Sequence, residues 1–468
     1  MRAIAMRLLV RLEGEPETRA SELLAGALPG VGDPRDRALL TELVYGVLRW
    51  QRRLDHGLAR WMPKGIGGVE ATARAFLRLG AYQIRFLDRI PPEIAVSATQ
   101  DAARSAGLGR MTGLLNAILR REVATPEALP EGESDRAIGI VASLPDWMVA
   151  ELRRAFPRVV RAEALALRER ASVTLRPTAA RFIDAVDALD VALIEVLADE
   201  GFIAKPLVVS MGSTGSARLL GDGKLVEVVG TVGSASPGGQ GSPGRDADGK
   251  KNTDIFQTRA FREGRFVAQD AASLAVVDQV EAAVGGVLEG KRILDLCAGR
   301  GVKATALADR GARVVAVDIA GKKLDELMRV ARRLGVEGRI ERTLALDAAD
   351  AGDGPGSGAR ELAALGEFDA VLVDAPCTGL GTLRRHPEIA WRREPSATAE
   401  LVALQGRLVS AAAARVKPGG GLVYAVCSFV RAEGEAALPS GFEVEERVAV
   451  APSTGLDAFQ GWRARRSS

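Results

Sequence analysis

The chain has 468 residues, and at roughly 150 per domain that length points to about three domains. Its 47% apolar and 26% charged residues allow a buried core and exclude disorder by composition, while 4% aromatic residues are too few for an extended base-stacking platform. Net charge is only +3, but residues 1–122 hold 19 Lys/Arg against 13 Asp/Glu, a front-loaded positive balance that favours an anionic partner.

At the front of the chain Arg2, Arg7 and Arg11 interrupt a short apolar stretch, so no secretory leader is expected. Over residues 36–55, Leu39, Leu40, Leu43, Val44, Val47 and Leu48 recur at three- and four-residue intervals, one stripe of a helix. Phe76, Leu79, Tyr82, Ile84 and Leu87 continue less regularly, Pro91-Pro92 ends that helix and Glu93 opens another. Gly107 and Gly113 bound a last helix over 114–121. No strand signal appears here, so a small all-α bundle is expected.

Residues 143–230 are mixed. Helices are expected over 146–156 and 183–199, and strands over 173–176, 207–210 and 225–229. Residues 230–252 form a Gly/Ser/Pro/Lys tract that reads as a flexible loop. From about 265 onward strands at 292–296, 313–317, 343–346, 369–373 and 421–426 alternate with helices. That alternation predicts a parallel sheet covered on both faces, with ligands beyond the carboxyl ends of the strands. The expected domains are thus 1–130, all-α; 131–260, a small α+β connecting domain containing the loop; and 261–468, α/β. No apolar run reaches the ~18 residues of a membrane span, and a cytoplasmic protein is expected.

Chemistry collects at the predicted strand ends. Asp295-Leu296-Cys297-Ala298-Gly299-Arg300-Gly301-Val302-Lys303-Ala304 is a strand, a Gly-rich turn and a helix start, which presents backbone N–H groups to a ligand. Nineteen residues after Gly299, Asp318 ends the next strand, where a carboxylate can accept ribose hydroxyls. Gly299-x-Gly301-x-x-Ala304 also fits a dinucleotide fingerprint, so a nicotinamide and S-adenosylmethionine both remain open from these residues. The cysteines favour the second. All three, Cys297, Cys377 and Cys427, lie at strand ends, and their number suits a reducing compartment rather than a disulfide framework. A thiol there can attack an electron-poor ring carbon, with an acid protonating the ring. Only His56 and His386 exist, in different predicted domains, which argues against a Ser/His/Asp hydrolase and a Cys/His zinc site. No metal is expected.

Longer motifs then carry a resemblance. Asp374-Ala375-Pro376-Cys377-Thr378-Gly379 followed by Arg384-Arg385-His386-Pro387-Glu388-Ile389-Ala390-Trp391 resembles the Sun/RsmB family of RNA cytosine-5 methyltransferases. Lys417-Pro418-Gly419-Gly420 before Val423-Tyr424-Ala425-Val426-Cys427-Ser428 is similar to that family's next motif, and the stretch from Gly264 to Gln269-Asp270-Ala271-Ala272-Ser273 to another. The front, with Arg35-Asp36-Arg37-Ala38, Leu43 to Arg49, Leu77 to Gln83 and Asn116 to Arg120, resembles the NusB-like domain of the bacterial small-subunit rRNA branch.

The resemblance implies a NusB-like RNA-binding bundle and a Rossmann-like class I methyltransferase domain acting on C5 of a cytosine in 16S rRNA. It implies S-adenosylmethionine held by the backbone of Cys297, Ala298, Gly299, Arg300, Gly301, Val302 and Lys303, with Asp318 on the ribose, Asp347 at the adenine end and Asp374 at the methionine end. Asp374 would also hydrogen-bond the cytosine, Cys427 matches the nucleophile, and Cys377 the cysteine that releases the product. An ordinary thiol is only a few per cent ionised at neutral pH, so the site is expected to favour the Cys427 thiolate. The base must be splayed out, which suits loop RNA. Arg384-Arg385, Arg52-Arg53 and Arg120-Arg121 are the candidates for phosphate contacts. A monomer acting on ribosomal RNA, with no DNA or membrane partner, is expected.

The chain departs from the family pattern at Arg300 and Ala304, where a proline and a hydroxyl residue are usual, and at Val426, where a Thr is. The acidic-Asn-acidic segment is Glu433-Gly434-Glu435, and an Arg-Val-Asn motif is Arg176-Pro177-Thr178. Two other readings stand beside the methyltransferase. A nicotinamide dehydrogenase leaves Cys377 and Cys427 without a role, and a non-catalytic RNA-binding factor would use the helical front alone.

Overall fold

Helices form at the front of the chain where the apolar stripes fall. In this computed structural model they are α1 (Arg2–Gly14), α2 (Ala20–Ala27), α3 (Pro34–Ala59), α4 (Ala71–Phe86), α5 (Pro92–Ser105) and α6 (Thr112–Ala124). The Asp33 side chain caps α3 by accepting from the Arg35 N–H at 2.8 Å, and Pro34 takes the first helical position, where its missing donor costs nothing. The stripe Leu40, Leu43, Val44, Val47 and Leu48 is buried in one core with Phe76 and Leu79 of α4 and Leu115 and Leu119 of α6. Leu39 is only partly buried at its edge. Two glycines let the helices approach closely. A Cβ on Gly46 would lie 2.0 Å from Tyr82 Cζ, and one on Gly80 2.5 Å from Leu119 Cδ1.

The structure describes all residues except 16, 63, 182–188, 201, 207–224, 232–254, 351 and 353–356. The chain forms two compact units, Met1–Arg170 with Thr382–Glu394, and Ala171–Gly381 with Pro395–Ser468. The first adds α7 (Asp135–Val141), α8 (Asp146–Ala155) and α9 (Val160–Ala166) to the bundle. Its distant segment is tied in by directed bonds. Trp391 Nε1 donates to the Leu48 carbonyl at 2.6 Å, and Glu388 Oε1 accepts from the Ala20 N–H at 3.2 Å.

The second unit opens with a four-stranded antiparallel sheet. Its strands are β1 (Val173–Pro177), β2 (Phe202–Pro206), β3 (Val226–Thr231) and β4 (Phe266–Ala268), in the order β2-β3-β1-β4. Helix α10 (Leu189–Asp199) buries Leu193 and Leu197 against Leu175, Phe202 and Phe266. The first residues of the helix expected from 183, the strand expected at 207–210 and the loop from 232 to 252 lie outside the described residues. The strand described in this region is β2.

Seven further strands make the main sheet: β5 (Arg292–Asp295), β6 (Arg313–Asp318), β7 (Ile340–Ala345), β8 (Phe368–Asp374), β9 (Val416–Val426), β10 (Phe442–Val450) and β11 (Phe459–Arg466). Their order is β10-β11-β9-β8-β5-β6-β7, a Rossmann-like arrangement. The expectation of a parallel sheet needs one correction. β11 runs antiparallel to both β9 and β10, because a short connection from 451 to 458 closes a hairpin and leaves no room for a crossover helix. The sequence shows the reversed pair poorly, since β10 alternates half-buried and exposed residues as an edge strand does. The order reverses between β5 and β8, opening a crevice at their carboxyl ends.

Gly46→Ala should lower stability by about 1–3 kcal/mol, since the methyl must displace the Tyr82 ring. Gly26→Ala, in open space on α2, should raise it by up to about 1 kcal/mol. Chemical denaturation of the two variants checks both signs.

Candidate active site

The turn after β5 is shaped by two glycines. Gly299 (φ +56°) and Gly301 (φ +83°) take left-handed backbone, and a Cβ on Gly301 would stand 2.3 Å from Leu327 Cγ. Gly301 is also the N-cap of α13 (Val302–Asp309), so the first N–H groups of that helix open at the turn. Asp318, at the end of β6, fastens it. Its Oδ2 accepts from the Gly299 N–H at 2.9 Å and its Oδ1 from the Ala320 N–H at 2.8 Å.

A pocket of about 180 Å³ lies beside this turn, lined by Asp295, Cys297, Ala298, Gly299, Arg300, Val302, Lys303 and Asp374. The expected turn residues other than Gly301 therefore share one wall with Asp374. Arg300 holds Glu326 on α14 (Gly321–Leu334) at 2.9 Å while remaining largely exposed. Asp347 stands apart from that lining, on the loop after β7, where its Oδ1 accepts from the Ala349 N–H at 2.9 Å. The same loop approaches Asp318, whose carbonyl accepts from the Leu346 N–H at 3.2 Å.

The Lys303 side chain is the residue that sequence reasoning undervalued. It was expected to act through its backbone, yet its Nζ meets Asp374 Oδ2 at 2.5 Å and its charge faces Cys427. Burial alone would lower the ammonium pKa, but Asp374, Asp295 and Cys427 around it raise it above the ordinary value. Its i+2 distance from Gly301, on the first turn of a helix entering a crevice, was the available signal. Asp295 is the second. It is 1% exposed, and burial pushes its pKa to about 7 against the pull of Lys303 and the Cys297 backbone.

Cys377 and Cys427 come together. Their sulfur atoms are 3.3 Å apart, and the Gly381 N–H donates to the Cys427 carbonyl at 3.0 Å. Contact with Cys427, and then burial, raise the Cys377 thiol well above its ordinary pKa. Burial does the same to Cys297, which lines the pocket rather than joining the pair.

The basic pairs divide. Arg384 is 5% exposed and donates to the Arg170 carbonyl at 2.9 Å, so a phosphate does not reach it as expected. Arg52 pairs with Asp146 at 2.6 Å and Arg53 with Glu127 at 2.5 Å, which makes them ties within the bundle. Arg120 and Arg121 stay exposed on α6.

The raised Asp295 pKa means the folded protein binds a proton that the unfolded chain, at an ordinary 3.8, has released. Stability of the cofactor-free protein should therefore fall as pH rises from about 4 to about 7. Asp295→Asn, which mimics the protonated form, should flatten that slope and melt above the wild type at pH 8. Melting curves against pH read both.

Comparison with known proteins agrees with this geometry. Residues 286–461 match the family described as 16S rRNA methyltransferase RsmB/F, and residues 1–123 the NusB family. A ribosomal RNA small subunit methyltransferase B of Xanthomonas campestris pv. campestris is 30% identical over 439 residues, covering 93% of this chain and 85% of that protein. The protein of the same description from Erwinia tasmaniensis is 29% identical, covering 92% and 87%. The crystal structure of PH0851 shares the fold, with a TM-score of 0.69 at 19% identity over 100% of this chain and 99% of that one. With a NusB-like bundle in front of a Rossmann-like sheet, and a relative matched along nearly its whole length, the chain belongs to the RsmB/F family of 16S rRNA methyltransferases.

Proposed function

We propose that this rRNA methyltransferase acts on C5 of a cytosine in the small-subunit RNA, through a covalent bond from Cys427 to C6. The observation that carries the proposal is the thiol pair Cys377–Cys427 at 3.3 Å beside the Lys303–Asp374 ion pair, at the crevice of the glycine turn. Membership in the family makes the enzyme S-adenosylmethionine-dependent. The pocket suits that cofactor, since Asp295 and Asp374 offer carboxylates to a cationic group and two positive-φ glycines keep side chains away from it. Cys297 to Lys303 would hold it by backbone and Asp374 by its carboxylate, with Asp318 and Asp347 toward the nucleoside. When bound, S-adenosylmethionine supplies an electrophilic methyl group.

The residues of the chain then make the ring receptive. Cytosine C5 is a poor nucleophile until C6 is occupied. The Cys427 thiolate, facing the Lys303 ammonium, forms the S–C6 bond, and the displaced π electrons make C5 nucleophilic. The Lys303–Asp374 pair keeps a proton beside the ring, and donation at N3 stabilises the adduct. Cys377 holds its own proton against Cys427 at rest. Once the Cys427 sulfur is committed to C6 that contact is gone; Cys377 gives its thiol proton to water, and the resulting thiolate takes the C5 proton and so returns to the thiol. The C5=C6 bond re-forms as the S–C6 bond breaks, which frees the product.

We assign residues 1–130 to RNA capture, 131–260 to the connection and 261–468 to catalysis, in a cytoplasmic monomer. Arg120 and Arg121 are exposed cations of the front unit suited to phosphate. No helix among the described residues is long and apolar enough to cross a membrane, and none of their side chains cluster as a metal site.

Small-subunit rRNA fragments carrying 5-fluorocytosine, with labelled cofactor, test the reading, because fluorine at C5 blocks release. The wild type and Cys377→Ala should form a covalent RNA adduct, and Cys427→Ala should not. Loss only in Cys377→Ala would exchange the roles of the two thiols. No adduct in the wild type, with rRNA binding intact, would leave a non-catalytic factor.

A further inference from the structure

Each reactive thiol is placed by the residue that follows it, and those two residues meet on one carboxylate. Thr378 follows Cys377, Ser428 follows Cys427, and both are fully buried. Glu433, in the short helix Arg431–Gly434 after β9, is fully buried as well. Its Oε1 accepts from the Thr378 N–H at 2.8 Å, and its Oε2 accepts from the Thr378 and Ser428 hydroxyls at 2.6 Å each. Gln405 Nε2, on α16 (Ser396–Ala413), adds a bond to Oε1 at 3.3 Å and also donates to the Pro376 carbonyl at 2.9 Å. The Tyr424 hydroxyl fixes the backbone of Glu433 through its carbonyl at 2.5 Å.

Proton counting shows why an acid stands here. The two hydroxyls are 3.0 Å apart and own one proton each, and Ser428 Oγ already accepts from the Val430 N–H at 3.0 Å. Both protons can therefore go to Oε2, while Oε1 takes two N–H donors. A carboxylate can accept all four, whereas an amide would turn an N–H₂ group toward donors. Burying a carboxylate is costly unless its bonds are made, and here four are made with no cation among its hydrogen-bond partners. Glu433 lies outside the pocket lining and touches neither sulfur by hydrogen bond.

We propose that Glu433 is a positioning residue, which clamps the turns after Cys377 and Cys427 to one carboxylate and so holds the two sulfur atoms at their 3.3 Å spacing. The inference rests on the assignment of Cys427 as nucleophile and Cys377 as the base that frees the product. Steps needing both thiols then depend on Glu433 more than the step needing Cys427 alone.

Glu433→Gln in the full chain tests this with two readouts. Turnover on unmodified cytosine RNA should fall about 100-fold, with KM for RNA and cofactor little changed, while the covalent RNA adduct accumulates. Independently of activity, diamide removes two electrons and two protons from the thiol pair to form a Cys377–Cys427 disulfide and the corresponding hydrazine. That disulfide, identified by peptide mass, should form about tenfold more slowly in the variant, as its thiols lose their fixed spacing. Thr378→Val should shift both readouts in the same direction and Thr378→Ser should not, and Thr378→Val with Ser428→Ala decide the matter if Glu433→Gln fails to fold. A Glu433→Gln enzyme with wild-type turnover, or with slow turnover but an unchanged disulfide rate, would overturn the clamp. If the wild type itself forms no adduct with 5-fluorocytosine RNA, the assignment of Cys427 falls instead, and the disulfide rates alone still judge the spacing.

Discussion

The parallel register of three central strands is the constraint on which the site depends. Asp295 of β5 pairs with Leu372 of β8, and Asp374 of β8 pairs with Ala425 of β9. The strands run the same way, so their carboxyl ends meet along one edge. Cys297, Asp374, Cys377 and Cys427 all lie within three residues of a strand end there. A slip of one residue between β8 and β9 would send a strand's side chains to the opposite face and part the two thiols. The buried Val and Leu of both faces hold that register. Val371 and Val373 pack on one side of the sheet, and Ala370 and Leu372 on the other.

Charge within the crevice is unevenly shared. Asp295 and Asp374 face Lys303, and the charges of Asp374 and Asp318 add to burial in raising the Asp295 pKa. Asp374 takes the ammonium directly and Asp318 spends its oxygens on two backbone N–H groups. Asp295 is fully buried and makes no ion-pair contact, and burial raises its pKa to about 7 against Lys303 and the Cys297 backbone. The site thus separates its acids by what each is bonded to rather than by residue type.

The departures from the family pattern are absorbed locally. Arg300, where a proline is usual, swings out to Glu326, and the turn keeps its shape through the positive φ of Gly299 and Gly301. Ala304 and Val426 are fully buried, where a small or apolar side chain needs no partner. Arg176 persists from the altered Arg-Val-Asn motif and is used structurally. It is buried and joins β1 to α13 through Asp309 at 2.6 Å and to Gln269 at 2.7 Å.

Much of this was legible in the order of residues along the chain. The α3 stripe, the five parallel strands, the glycine turn and the cysteines at strand ends all depend on neighbours within a few positions, and backbone geometry makes such spacing visible as a period of 3.6 or 2. The sequence by itself therefore determined the helical front, the α/β back and the placing of cysteines and carboxylates at the strand ends. Only the tertiary structure decided which way β11 runs, that Arg384 is buried, that the Lys303 side chain pairs with Asp374, and that Thr378 and Ser428 share Glu433. Each of those depends on a partner dozens of residues or more away, or on burial that no local pattern records. A hydrogen bond is specified by a distance in space, and the chain alone lists only distances along itself.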